Sequence, residues 1–285
     1  MKIRHMAVLA MAAWLPVATA GLAQQDVVRE ITRIEGDLYR FRNNFHFSVF
    51  LITSQGAICT DPIDAEAAAW LKEQLATRFG TSCRYLVYSH DHRDHIAGGE
   101  VLGEGAVIVA QANAKATILG EKRPTAVPQV TFAEAMEIEL GGKRVELRYL
   151  GRNHSDNSIV MRFPEEGVLF AVDFIPVRAV AFRDLPDAWI PDWIDSLKRV
   201  EAMDFRILVP GHGPLGTRAD VTAFRQYMED LHAAVLAEVR AGTPLEDAKT
   251  KIRLDRYADW SRYEDWLPLN IEGMYRRIQL HRRPN

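Results

Sequence analysis

A short apolar strand, RYLVYS at 84–89, runs directly into His90-Asp91-His92-Arg93-Asp94-His95, and this junction constrains the fold more than any other stretch of the chain. Three imidazoles and a carboxylate so close together at the end of a strand are a donor set for a borderline-soft divalent ion such as Zn²⁺. Further candidate donors stand at the ends of other expected strands: His154 after VELRYL, Asp173 closing VLFAV, and His212 after RILVP. In open α/β sheets ligands gather beyond the carboxyl ends of strands, so the fold has to bring these strand ends together. Counting His90, His92, Asp94, His95, His154, Asp173 and His212, the donors are too many for one tetrahedral ion, and two metals per chain are implied.

The rest of the chain reads as two halves of the same kind. Residues 29–60 place turn signals at Glu35-Gly36-Asp37 and Asn43-Asn44 among runs rich in aromatic and β-branched residues, FHFSVFLIT and AICT, which predicts a meander of strands. Residues 64–78 switch to helical spacing, with Asp64 as N-cap, Ala67, Leu71 and Leu75 on one face, and Gly80 just past the end. After the His-rich loop come AVIVA at 106–110 and a helix over 111–119. MEIEL, a Gly141-Gly142 turn, VELRYL, SIVMRF, a turn at 164–167 and VLFAV follow as a second run of strands. The remainder predicts a helix near 192–202, the strand RILVP, and helices over about 219–240, 244–252 and 270–280. Two meander-plus-crossover halves imply an α/β fold of two packed sheets with helices outside, a four-layer αββα sandwich. It would occupy 28–220, with 221–285 as a helical C-terminal extension packed on it.

Composition closes off several functions. A formal net charge of −3, from 35 basic and 38 acidic residues, provides no field to hold a polyanion, so nucleic acid is not an expected partner. Two cysteines exclude a disulfide-dense scaffold. They are expected to be unbonded, because an offset of four residues between neighbouring parallel strands would put Cys59 and Cys83 about 13 Å apart, where a bridge needs less than about 7 Å. At the N-terminus, Lys2 and Arg4 precede an apolar run from Met6 to Val17, followed by the small-residue sites Ala18-Thr19-Ala20 and Gly21-Leu22-Ala23. That is the layout of a secretory signal peptide over 1–23, too short for stable membrane insertion, and it predicts a periplasmic or secreted protein.

The chain resembles the metallo-β-lactamase-fold hydrolases, with a site similar to the glyoxalase II type. The resemblance runs over roughly 28–220 and is carried by HDHRDH, His154 in GRNHSDNS, Asp173 in AVDF and His212 in PGHG, in the family's order. It implies that His90, His92 and His154 hold one ion, that Asp94, His95 and His212 hold the other, and that Asp173 bridges them together with a hydroxide that acts as the nucleophile. Asp94 would then handle the proton, and Asp61 in CTDP would orient a ligand imidazole through its N–H rather than bind metal itself. The cofactor expected is two Zn²⁺ per chain, with iron or manganese compatible with the same donors. The implied function is hydrolysis of an ester, thioester, lactone or amide-like carbonyl in a small-molecule substrate. Three alternatives stand beside it: a zinc β-lactamase, a mononuclear-iron persulfide dioxygenase, and a non-catalytic periplasmic metal-binding protein.

Around this centre, Phe45, His46 and Phe47 follow the Asn43-Asn44 turn, and Phe174, Phe182, Trp189 and Trp193 follow Asp173. These could wall a pocket with Arg178 or Arg183 at its mouth and His46 as a substrate contact, or most of them could be core. The aromatic C-terminal segment around Tyr257, Trp260, Tyr263 and Trp266 reads as a helical cap, with a dimer contact as the alternative. The oligomeric state is left open.

Overall fold

The computed structural model describes residues 27–280, so the expected signal segment lies outside the described residues. Twelve strands form two sheets among the described residues. The first contains β1 (Arg29–Glu35), β2 (Leu38–Asn43), β3 (His46–Thr53), β4 (Gly56–Thr60), β5 (Cys83–Val87), β6 (Val107–Gln111) and β7 (Val130–Phe132), in that spatial order. The second contains β8 (Ala135–Leu140), β9 (Lys143–Tyr149), β10 (Ile159–Phe163), β11 (Val168–Ala171) and β12 (Ile207–Val209), ordered β12-β11-β10-β9-β8. Strands β1 to β4 form the antiparallel meander, and β4, β5, β6 and β7 then run parallel. Three-residue β7 is too short to leave a pattern in the sequence and is held by parallel pairing with β6.

Parallel pairing requires crossovers, which α1 (Ala65–Phe79), α2 (Arg93–Ile96), α3 (Gly99–Leu102) and α4 (Ala112–Glu121) supply. Helix α1 starts where the sequence places it, because the Asp64 carboxylate accepts from the Ala67 N–H at 2.7 Å. It stops at Gly80, whose φ of 63° is the left-handed cap conformation. On the other side lie α5 (Ile190–Glu201), α6 (Arg218–Ala241), α7 (Leu245–Lys251) and α8 (Tyr263–Leu280). Helix α8 begins seven residues earlier than the sequence suggests, since Pro268 is tolerated inside it.

The alternation of side chains along the central strands divides the core into three layers. In β4, Ala57 and Cys59 join the cluster under α1, whereas Ile58 joins the cluster between the sheets. In β11, Val168 and Phe170 face the other sheet, while Leu169 and Ala171 pack under α5 and α6. Strands apolar on both faces are therefore sandwiched twice, giving the order helix, sheet, sheet, helix. Each such fully buried Leu, Ile, Val or Phe contributes about 1.5–3 kcal/mol. Residues of α6 and α8, including Tyr227, Ile271 and Met274, share one core with β10, β11 and β12.

Cys59 and Cys83 are free and buried. Their offset is shorter than the sequence argument assumes: a bulge between Ala57 and Ile58 sets Cys83 beside Ala57 and on the α1 side with Cys59. Burial, with Cys83 beside it, pushes the Cys59 thiol well above its ordinary pKa.

Candidate metal centre

Every donor singled out in the sequence reaches one end of the sandwich. His90 and Asp91 follow β5, Arg93–Ile96 folds into the one-turn helix α2, His154 lies between β9 and β10, Asp173 follows β11 and His212 follows β12. Four imidazole Nε2 atoms surround the Asp173 carboxylate: His95 at 3.1 Å, His212 at 3.3 Å, His90 at 3.5 Å and His154 at 3.9 Å. Donors bonded to one ion at about 2.0–2.1 Å lie about 3.3 Å apart in tetrahedral geometry, so these spacings are those of ligands around a cation.

The other ring nitrogens show why Nε2 faces inward. His90 Nδ1 is 2.9 Å from the Ser89 hydroxyl. His154 Nδ1 lies 3.0 Å from the Asn153 side-chain oxygen. His212 Nδ1 lies 2.9 Å from the Phe45 carbonyl, which accepts its proton. Occupying Nδ1 as a donor leaves the Nε2 lone pair free. Asp61 faces His95 across a longer ionic contact, Oδ2 3.6 Å from Nδ1 without a hydrogen bond, while its Oδ1 accepts the Ser89 N–H at 2.8 Å.

The fit to a metal rests on atoms left without partners. Nε2 of His90, His95 and His154 and Oδ1 of Asp173 are buried and make no hydrogen bond. Leaving such groups buried and unpaired costs about 1–3 kcal/mol each, a cost that ligation to a cation removes. Among the described residues three donor groups, each with its ligand atoms within 4.8 Å of one another, emerge: His90, His92, His154 and Asp173; His95, Asp173 and His212; and His46, Asp94 and His212. The donors as a set therefore suit borderline divalent ions, with more ligands than one ion takes.

Electrostatics follow the geometry. Burial works against charge on Asp173, yet His95, His90 and His212 hold it well below the usual carboxylate range. Burial, reinforced by His90, pushes His154 well below the imidazole value. For His95, burial is outweighed by Asp173 and Asp61, which hold it well above. Burial likewise disfavours charge on Asp94, but the contact with His46 and then His95 bring its carboxyl down.

The loops are tied to one another. Asn157 Nδ2 donates to Asp91 Oδ1 at 2.8 Å and Asn157 Oδ1 accepts the Asp91 N–H at 3.0 Å, joining the HDHRDH and GRNHSDNS loops. Phe47 N–H donates to the Gly211 carbonyl at 2.8 Å, joining the β2–β3 hairpin to the PGHG loop. Gly211 has no room for a side chain: a Cβ there would lie 2.6 Å from Val172 and 3.0 Å from both Asp173 Oδ1 and the His95 ring. Asp173 itself has φ of 66°, strain that a surrounding framework must hold.

Two further participants have no donor motif around them in the sequence. His46, which the sequence offers as a substrate contact, lies 3.3 Å from Asp94 Oδ2. Asp187, with no motif around it, lies 3.5 Å from His92 Nε2. Among the aromatic residues, Phe174 and Trp193 are core, joined by a 2.9 Å bond from the indole N–H to the Phe174 carbonyl. Phe45 and Phe182 are exposed, and Arg178 is exposed and pairs with Asp259.

Residues 63–212 match the family model described as the metallo-beta-lactamase superfamily. Among curated relatives, the 2,4-dinitroanisole O-demethylase subunit alpha of Nocardioides sp. (strain JS1661) is 24% identical over 165 residues, covering 57% of this chain and 50% of that protein. The metallo-beta-lactamase type 2 of Bacillus cereus is 27% identical over 174 residues, covering 59% of this chain and 67% of that protein. The chain thus spans half the length of the first relative and about two thirds of the second. Among solved structures, a metallo-beta-lactamase from Pontibacter korlensis superposes with a TM-score of 0.63 at 22% identity, covering 71% of this chain and 99% of that one. A family match over slightly more than half of the residues, on the same layered fold, decides the assignment: the chain belongs to the metallo-beta-lactamase superfamily, a superfamily of hydrolases.

Proposed function

We propose that this protein is an exported dinuclear zinc hydrolase acting on an ester, thioester, lactone or amide-like carbonyl of a small molecule. The observation that carries the reading is the ring of four Nε2 atoms around Asp173, three of them buried without a hydrogen-bond partner. His90, His92 and His154 would hold one ion, Asp94, His95 and His212 the other, and Asp173 would touch both. When bound, the ions supply Lewis acidity toward a carbonyl oxygen and make water acidic enough to react near neutral pH.

The chain's own contribution is position and proton handling. Asp94 is half exposed at the open side of the centre, where its carboxylate would take a proton from the attacking water and return it to the leaving group. Asp61 keeps the His95 ring turned so that Nε2 meets Asp173. Neither step calls for a serine or cysteine nucleophile.

The zinc β-lactamase reading draws on the names of relatives such as the Bacillus cereus protein. Against it stands the bridging place that the resemblance to the glyoxalase II type gives to Asp173. Elemental analysis of purified protein, combined with rates on a panel of lactone, thioester, aryl ester and β-lactam substrates, tests both readings. Two zinc equivalents and turnover of an ester-like carbonyl are expected. Turnover confined to β-lactams would favour the lactamase, and a single iron with oxygen uptake on a persulfide would overturn hydrolysis. Export rests on residues 1–23, and N-terminal sequencing of protein from a fractionated host is expected to begin just beyond Ala20 or Ala23.

A further inference from the structure

We infer that His46 is a ligand of the second metal position, alongside Asp94 and His212, an inference that rests on the dinuclear reading above. His46 comes from the β2–β3 hairpin, an element that none of the sequence motifs includes. Its Nε2 lies 3.3 Å from Asp94 Oδ2, and His212 Nε2 lies 3.9 Å from the same oxygen. The ring centroids of His46 and His212 are 4.7 Å apart. Together the three form a donor triad, with ligand atoms all within 4.8 Å of one another, that is distinct from the triad of His95, Asp173 and His212.

The backbone fixes His46 there. On its N-terminal side the Phe45 carbonyl accepts from His212 Nδ1 at 2.9 Å, and on its C-terminal side the Phe47 N–H donates to the Gly211 carbonyl at 2.8 Å. His46 is therefore clamped between two bonds to the very loop that presents His212. The pairing of Asn43 with His46 across the hairpin completes this frame, and Asn43 Nδ2 in turn donates to the α1 cap Asp64 at 3.0 Å. A ring held this way meets Asp94 without reorganisation of the backbone. The backbone thus brings the His46 ring to Asp94 and His212 together, and the three donor atoms it gathers lie within reach of one cation.

The consequence is an uneven pair of positions. The first group draws on three histidines and Asp173, whereas His212 belongs to two further triads, one with His95 and Asp173 and one with His46 and Asp94.

The test uses the full mature chain labelled with ¹⁵N-histidine and loaded with two equivalents of ¹¹³Cd²⁺. A one-bond cadmium coupling is expected at His46 Nε2 as well as at His95 and His212, and it should vanish in His46→Gln. In parallel, zinc competition titration should show the second equivalent binding about tenfold more weakly in His46→Gln, with the first unchanged. Circular dichroism and thermal unfolding of His46→Ala and His46→Gln report whether either variant is folded. Two bound metals with couplings at His95 and His212 but none at His46 overturn this inference alone. A wild-type chain that takes up only one equivalent overturns the dinuclear reading together with it.

Discussion

Around Asp173 the donors divide into a closed side and an open side. On the closed side, His90 is fully buried and the His154 side chain is 12% exposed, each with its Nδ1 held by a neighbouring Ser or Asn side chain. On the open side, the Asp94 side chain is 52% and that of His212 41% exposed, and the partners there are a backbone carbonyl and the hairpin residue His46. Only His95, fully buried against Asp61, anchors the open side to the core. On the proposed reading the closed half is framework and the open half meets the substrate: buried, pre-oriented imidazoles resist displacement, while exposed donors are reachable and would move protons.

Gly211 tests whether the two sides are mechanically one unit. It touches Asp173 and His95 at once, and its carbonyl holds the hairpin that carries His46. Gly211→Ala forces a Cβ into space that does not exist, a clash of the kind that costs about 1–3 kcal/mol in a packed interior. Metal uptake is expected to fall on both sides and activity to be lost, read by elemental analysis and thermal unfolding of one preparation. Retention of a full metal complement would show that the loop can shift independently of the centre.

Asp94 probes the open side alone. Asp94→Asn keeps a neutral oxygen donor but removes the charge that takes a proton, so kcat is expected to fall by roughly 10²-fold or more. The closed side should keep its zinc, because none of its imidazoles depends on Asp94 for orientation. Hydrolysis at the parent rate with both metals bound would reduce Asp94 to a ligand and leave the proton route unassigned.

Which parts of this arrangement can be read from the chain follows from the same contrast. HDHRDH, His154, Asp173 and His212 are legible because each sits directly after an apolar strand, and strand ends are local features. The layers are legible for the same reason, since strands such as VLFAV are apolar on both faces. His46 carries a weaker signal, a histidine beside an Asn-Asn turn, and its meaning depends on hydrogen bonds to residues 211 and 212 far along the chain. Asp187 carries none. It lies in a loop where Arg178, Arg183 and Leu185 all have φ between 46° and 56°, a shape no propensity anticipates for such residues. That shape is imposed by α8: Asn270 Nδ2 donates to the carbonyls of Ala181 and Arg183, Arg277 bonds those of Leu185 and Pro186, and Gly273 lets the Asp184 backbone approach.

Asp187 makes the closed side less sealed than burial alone suggests, because its carboxylate reaches His92, the most exposed member of that group. The contact with His92 lowers the Asp187 carboxyl, and for His92 burial is outweighed only by Asp187 together with Asp173 and Asp91, which raise the imidazole. A carboxylate beside a ligand imidazole strengthens its hold on a cation, and losing such a partner typically costs 10–100-fold in metal affinity. Because Asp187 is half exposed, Asp187→Asn is expected near the low end, about tenfold, and confined to the first equivalent of zinc. An effect on the second equivalent instead would mean that the division into two sides is drawn in the wrong place.

Phe45 offers the smallest and most specific test of the open side. Its ring is 79% exposed at the tip of the hairpin, next to His46, while its backbone carbonyl accepts from His212. Phe45→Ala deletes the ring and leaves that carbonyl in place, so the tautomer of His212 and the metal content should be unchanged. If substrate enters over the hairpin, an apolar acyl or leaving group packs on the ring on arrival. Covering part of a phenyl face is worth about 1 kcal/mol, a fraction of full burial. KM for aryl or alkyl esters is therefore expected to rise a few-fold with kcat nearly constant, the pattern of binding lost equally from ground and transition states. A fall in kcat at unchanged KM would instead tie Phe45 to the orientation of His212, and an unchanged KM across short and long acyl chains would place substrate entry away from the hairpin, toward the exposed Phe182 beside Trp266.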